Sequence, residues 1–183
     1  MSTVASQRPS DPTAMARTII IVMGVAGCGK TTVGKALSKA LDVPFTDGDD
    51  LHSDEARAKM TAGTPLNDAD RMPWLDRIGT VLADATTYPK GAIIACSALR
   101  WAYRERLRDR SGQDLRFLYL KGTPEMMRKR VASRQGHYMP ASLVDSQFAI
   151  LEPPESEPDV VTMAADARLD LELPHIIKLL QQQ

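Results

Sequence analysis

The segment Gly24-Val25-Ala26-Gly27-Cys28-Gly29-Lys30-Thr31 fits G-x-x-x-x-G-K-[ST] at every fixed position, and Thr32 follows it. Glycines at those places let the backbone turn so that successive N–H groups point into one concavity, where they bind phosphate oxygens. A helix opening there adds partial positive charge. The chemistry predicted is binding of a nucleotide's phosphates by residues 24–32, with the Lys30 ammonium at the β- and γ-phosphates and the Thr31 hydroxyl on Mg²⁺. Cys28 has two readings: a small residue that fits, or a redox-sensitive thiol acidified by the helix N-terminus.

A second group of residues has the types needed to act on whatever receives a phosphoryl group. Asp47-Gly48-Asp49-Asp50 follows a short apolar run. One carboxylate there can hold a water on Mg²⁺, and another can accept a hydrogen bond from an acceptor hydroxyl; a solvated acidic turn is the alternative. Arg71 in Asp70-Arg71-Met72-Pro73-Trp74 can bind a carboxylate bidentately, with Pro73 suited to the first turn of a helix. Ser97 and Arg100 follow another apolar run, and nearby Trp101 and Tyr103 read as packing residues. Arg130 and Arg134 are spaced i, i+4 and share one helical face. They would repel unless an anion arrived, and a transferring phosphoryl group is such an anion; a basic solvated face fits the spacing equally well. His137, between Gly136 and Pro140, is a candidate donor to substrate.

These residues need elements to position them. Thr18 to Met23 reads as a strand buried on both faces, as do Val43 to Thr46, Ala92 to Cys96, Leu115 to Leu120 and Asp159 to Met163. Val33, Ala36, Leu37, Ala40 and Leu41 form one helical stripe; Trp74, Leu75, Ile78, Val81, Leu82 and Ala85 form another. A helix from Pro174 closes the chain, turning Ile176, Ile177 and Leu180 inward. Strands alternating with helices predict a parallel α/β sheet covered on both faces. In such a sheet the ligand crevice lies at the carboxyl ends of the strands, where the P-loop, Asp47, Ser97 and Arg100 all fall. Residues 1–17 read as a flexible tail and 18–183 as one domain. Thr123 to Phe148 is the segment long enough to form a lid that excludes water.

The 183 residues carry 23 Lys plus Arg against 23 Asp plus Glu, so the net charge is zero, without the basic excess of a nucleic-acid binder. The longest apolar stretch, Ile19 to Met23, is far short of a membrane span. Two cysteines, Cys28 and Cys96, make no disulfide framework. A cytoplasmic protein without nucleic-acid or membrane partners is expected. Two function classes remain: a small-molecule kinase, or a nucleotide-dependent switch. A switch should carry Asn-Lys-x-Asp to read guanine; this chain has no such tetrapeptide. Asp109 to Gly112 matches D-x-x-G, a pattern short enough to arise by chance.

The strings GVAGCGKTTVGKAL, FTDGDDLH, PLNDADR, PWL, CSALR, YLKG, RQGHYMP and SQFAILEPP resemble the gluconokinase family, P-loop kinases related to shikimate and nucleoside monophosphate kinases. The resemblance runs from about Thr18 to Leu180. It implies a three-layer P-loop NTPase fold with a parallel sheet of about five strands, helices on both faces and a helical lid. It also implies ATP-dependent phosphorylation of D-gluconate at its 6-hydroxyl, commonly by a homodimer. Shikimate or another small hydroxylated anion is the rival acceptor. Carried over by motif, Asp47 sits near Mg²⁺ and Asp49 near the acceptor hydroxyl. Arg71 meets the substrate carboxylate; His52, Ser97, Arg100 and His137 join the substrate site. Arg130 and Arg134 match lid arginines that act with Lys30 in catalysis. The chain departs from the family in having Cys28 where Ser is common and Arg100 where Lys is common.

Overall fold

The computed structural model describes residues 17–62, 64, 66–112, 114–133 and 141–182. The strand β1 (Thr18–Met23) leads through the P-loop into α1 (Lys30–Leu41). Next come β2 (Phe45–Asp47), a 3₁₀ turn (Gly48–Leu51), α2 (Asp54–Thr61) and α3 (Asp68–Ala83). The remainder is β3 (Gly91–Ala95), α4 (Trp101–Ser111), β4 (Leu115–Lys121), α5 (Pro124–Ala132), α6 (Ala141–Ile150), β5 (Val160–Ala164) and α7 (Leu169–Gln182).

Among the described residues the strands form one parallel sheet in the order β2-β3-β1-β4-β5. Its central strand is β1, whose β-branched residues alternate between two cores. Ile20 and Val22 face one core with Val33, Leu37, Met127, Val131, Val144, Ile176 and Leu180. Ile19, Ile21 and Met23 face the other with Trp74, Leu75, Ile78, Leu82, Tyr103 and Leu107. Helices α1, α5, α6 and α7 therefore cover one face, and α3 and α4 the other. That is the three-layer fold expected, and each side chain buried in it contributes about 1.5–3 kcal/mol.

Several boundaries differ from those read in the sequence. The ladder of β2 begins at Phe45, because Pro44 has no N–H to donate; its carbonyl still accepts from Ile93 N–H at 2.9 Å. Helix α3 begins at Asp68, so Pro73 lies in its interior rather than in its first turn. The start is set by a capping box: Asn67 accepts from Asp70 N–H at 3.0 Å, and Asp70 accepts from Asn67 N–H at 3.1 Å. Helix α7 likewise begins at Leu169, before Pro174. Ala40 is exposed, and Ala85 lies beyond the end of α3. Arg17, read with the tail, is tied to the body through the Tyr88 and Asp84 carbonyls at 3.0 and 3.2 Å.

Candidate active site

At the carboxyl end of β1 the chain turns through Gly24 (φ 139°), Gly27 (φ 83°) and Gly29 (φ 101°). A Cβ on Gly24 would stand 2.9 Å from the Leu120 carbonyl oxygen, and one on Gly27 would stand 2.9 Å from Val131 Cγ2 of α5. Side chains are thus excluded by conformation and by space. Gly29 caps α1 without a side-chain hydrogen bond, and the first turn of α1 holds no acidic residue. The positive end of the helix is left open to an anion. Lys30 donates to the Gly24 and Val25 carbonyls at 2.9 and 3.1 Å, folded over the cradle. Cys28 is buried in the core under the loop.

The Thr31 hydroxyl donates to Asp47 Oδ2 at 2.9 Å, linking α1 to the last residue of β2. The other oxygen of Asp47 caps the 3₁₀ turn by accepting from Asp49 N–H at 3.2 Å. Asp49 opens into the crevice with 81% of its side chain exposed. Its carboxyl is nevertheless held above the ordinary carboxylate value. Desolvation by the surrounding walls is the largest cause, followed by repulsion from Asp47; Lys30 pulls the other way. A cleft of about 560 Å³ is lined by Thr31, Lys35, Phe45, Thr46, Asp47, Asp49 and Asp50. Among the described residues no group of three His, Cys, Asp or Glu side chains could hold a metal. A hydroxyl and a carboxylate side by side do fit Mg²⁺, which takes one or two protein oxygens and completes its shell with phosphate and water.

Helix α3 holds the acidic turn in place. Trp74 Nε1 donates to the Gly48 carbonyl at 2.7 Å, and Arg77 Nε to that of Leu51 at 2.7 Å. His52 is buried and stacks on Trp74, ring centroids 4.2 Å apart, with Nε2 4.0 Å from Asp49 Oδ1. Burial, then the charges of Arg77, Arg57 and Arg71, lower its pKa to about 4. His52 is therefore neutral near pH 7 and offers the substrate site no positive charge.

Arg71, in the first turn of α3, donates to the Tyr103 hydroxyl at 3.1 Å. That hydroxyl donates to Asp68, which also accepts from Arg100 at 3.0 Å. Tyr103 is buried as expected of a packing residue, but its oxygen joins the two arginines of the acceptor side. Trp101, also read as packing, is 54% exposed. Ser97 lies at the end of β3, where its carbonyl accepts from Gly24 N–H at 3.3 Å. The buried Cys96 thiol is raised to about 12, mainly by burial, and feels the charges of Asp49, Lys30 and Arg71 together. The P-loop reaches the end of β3 through the Gly24–Ser97 hydrogen bond, and Asp47 pairs with Ala95 of the same strand.

Across the sheet, Arg130 donates to the Ala165 carbonyl at 3.0 Å, and its helix packs on the P-loop at Gly27. Arg134 and His137 lie outside the described residues. Sequence reading missed Gln147 of α6, whose Oε1 accepts from the P-loop amide of Ala26 at 2.6 Å. No local signal announces a contact between residues so far apart. The Trp74 contact had one: a buried indole N–H requires a partner.

The arrangement is that of a phosphoryl-transfer enzyme, and known proteins agree. A shikimate kinase family model matches residues 26–162. A gluconokinase from Gluconobacter oxydans is 39% identical over 166 residues, covering 90% of this chain and 92% of that protein. The chain belongs to the gluconokinase family. Another member, the thermosensitive gluconokinase of Escherichia coli, is 42% identical over 150 residues, covering 80% of this chain and 79% of its own. The crystal structure of a gluconokinase from Sinorhizobium meliloti superposes with a TM-score of 0.80 at 38% identity, covering 91% of this chain and 94% of that one. Like other gluconokinase-family proteins, this one is a nucleotide-using kinase.

Proposed function

We propose that the protein transfers the γ-phosphoryl group of ATP to the 6-hydroxyl of D-gluconate, giving 6-phosphogluconate and ADP. The observation that carries this reading is the chain of hydrogen bonds from Thr31 to Asp47 to Asp49, which joins the P-loop to the acidic turn that α3, the helix of Arg71, holds in place through Trp74. The P-loop amides and Lys30 hold the phosphates. Thr31 and Asp47 hold Mg²⁺, which when bound neutralises charge on the phosphate oxygens. Asp49 accepts the proton of the attacking hydroxyl. Its pKa is raised, chiefly by desolvation and by the neighbouring Asp47 charge, and a raised pKa makes a carboxylate a better proton acceptor.

Arg71 anchors the acceptor carboxylate at the opposite end of the sugar acid. Ser97 and Arg100 line the same side, and His52 supports the turn that carries Asp49. Arg130 belongs to the proposed transition-state charge clamp, together with Arg134, and His137 to the acceptor site. The segment proposed as a lid, 123–148, contains α5 and most of α6, beside the P-loop. Slowed amide exchange in α5 and α6 with an ATP analogue and gluconate is its test. A cytoplasmic homodimer is proposed on the family resemblance.

An ATP-consumption assay with gluconate, shikimate, nucleoside monophosphates and no acceptor tests the reaction. Gluconate-dependent ADP formation is expected. Turnover on shikimate alone would replace the acceptor; nucleotide hydrolysis without any acceptor would favour a switch. Asp49→Asn should slow gluconate turnover by about 10²–10⁴-fold, without rescue by added Mg²⁺.

A further inference from the structure

Asp68, the first residue of α3, is absent from the roles assigned above. Its carboxylate accepts from Arg100 Nη1 at 3.0 and 3.3 Å and from the Tyr103 hydroxyl. Because that hydroxyl spends its proton on Asp68, its lone pairs face Arg71, which donates to it at 3.1 Å. The two guanidinium carbons lie 5.7 and 5.8 Å from the centroid of the same Tyr103 ring. Among the described residues Arg71 forms no ion pair, whereas Arg100 is neutralised by Asp68. Around the Tyr103 hydroxyl two guanidiniums thus meet one carboxylate, which leaves one local positive charge without an ion-pair partner.

We propose that Asp68 is a specificity-determining residue that sets this charge, so that the site favours a monoanionic hydroxy acid over a dianionic one. Arg71 is left to meet one carboxylate, oriented by the Tyr103 hydroxyl. Asp68 faces a second carboxylate with a like charge and withholds the Arg100 guanidinium from it. Selection against the wrong ligand by a repulsive group is how sites separate molecules that share most of their contacts. The inference rests on the reading of the acceptor as a sugar monocarboxylate.

The test uses the full chain and the isosteric substitution Asp68→Asn, which keeps an acceptor for Tyr103. KM and kcat for gluconate are measured beside inhibition by tartronate, whose two carboxylates share one hydroxyl-bearing carbon and so both fall on the side of Arg71, Arg100 and Asp68. The ratio of tartronate Ki to gluconate KM should fall about five- to tenfold, as the loss of one like charge within a few ångströms implies. The gain should shrink as salt is raised from about 0.05 to about 0.5 M. Asp68→Glu should restore the ratio, and Asp68→Ser provides the same readout if the Asn variant does not fold. Two constants that move together, or a salt-independent ratio, would overturn the inference and make Asp68 an ordinary scaffold residue. A wild-type protein inactive on gluconate would overturn the functional reading and this inference with it. Gluconate activity with an unmoved ratio would overturn the inference alone.

Discussion

Lys30 and Arg71 are both cations near the end of β3, yet they face different partners, and their substitutions should separate. Lys30 reaches from the P-loop across the cradle. Lys30→Ala removes a charge aimed at the transferring phosphoryl group, so kcat should fall about 10²–10³-fold. Arg71 sits on the acceptor side against Tyr103. Arg71→Ala should raise gluconate KM about 10- to 100-fold, the value of a charge-assisted hydrogen bond, with ATP KM little changed. Steady-state kinetics in both substrates check this; loss of ATP binding in Arg71→Ala would contradict its placement. His52 gives a prediction in pH. Its pKa falls from 6.5 to about 4 on folding, so between those values the unfolded chain binds a proton that the folded one does not. Stability is then full above about pH 6.5 and falls as pH drops toward 4, by at most about 1.4 kcal/mol per pH unit. Chemical denaturation across that window should show the slope, and His52→Phe should flatten it.

At the scale of elements, the site depends on helices that supply few reacting groups. The capping box fixes where α3 begins, and so places Asp68 and Arg71 in its first turn. Trp74 and Arg77 from the same helix grip both ends of the acidic turn. Helix α6 holds the outer arm of the P-loop through Gln147 and is tied to α5 by the Arg128–Asp145 ion pair at 2.7 Å. Gln147→Ala leaves the Ala26 amide without its acceptor. ATP KM should rise several-fold with gluconate KM unchanged, and stability should fall by about 1 kcal/mol. Gln147→Glu keeps an acceptor oxygen and should recover the stability. Kinetics paired with urea unfolding distinguish the two effects.

At the scale of the molecule, one buried cation joins the acceptor edge to the far strand. Arg104 is 1% exposed and donates to Glu157 at 2.6 Å, to the Ala98 carbonyl at 2.9 Å and to that of Glu152 at 3.2 Å. Arg108 adds Asp159 at 2.7 Å. The acidic, proline-rich segment before β5 is thereby fastened beneath α4, next to the turn that carries Ser97 and Arg100. Removing Arg104 takes a buried donor from the Ala98 and Glu152 carbonyls and leaves Glu157, among the described residues, with Arg108 alone, at 2.6 Å. Arg104→Ala should cost about 3–5 kcal/mol, read as a lower urea midpoint. Replacement by Met, with Glu157→Leu, should recover much of that loss, since the pair is then exchanged for apolar packing.

The P-loop was legible in the sequence because its eight residues are contiguous and each is demanded by backbone geometry around one phosphate. The strands were legible because sheets buried on both faces require unbroken β-branched runs, as in Thr18 to Met23. Arg71 and the Asp47–Asp49 pair could be named, since their types and their places after strands limit what they do. Helix α4 was harder to read: its buried face includes Arg104 and Ser111, and that charge breaks the apolar period. Pro73 and Pro174 marked helix starts by local rule, whereas caps and packing began those helices earlier. Only the tertiary structure decided that Tyr103 joins Arg71 to Asp68, that His52 is a neutral stacked base beneath Asp49, and that Gln147 reaches the P-loop. Each depends on contacts between residues more than twenty positions apart. Such contacts leave no period or spacing in the chain, because they are made by the packing of helices whose local sequences are satisfied without them.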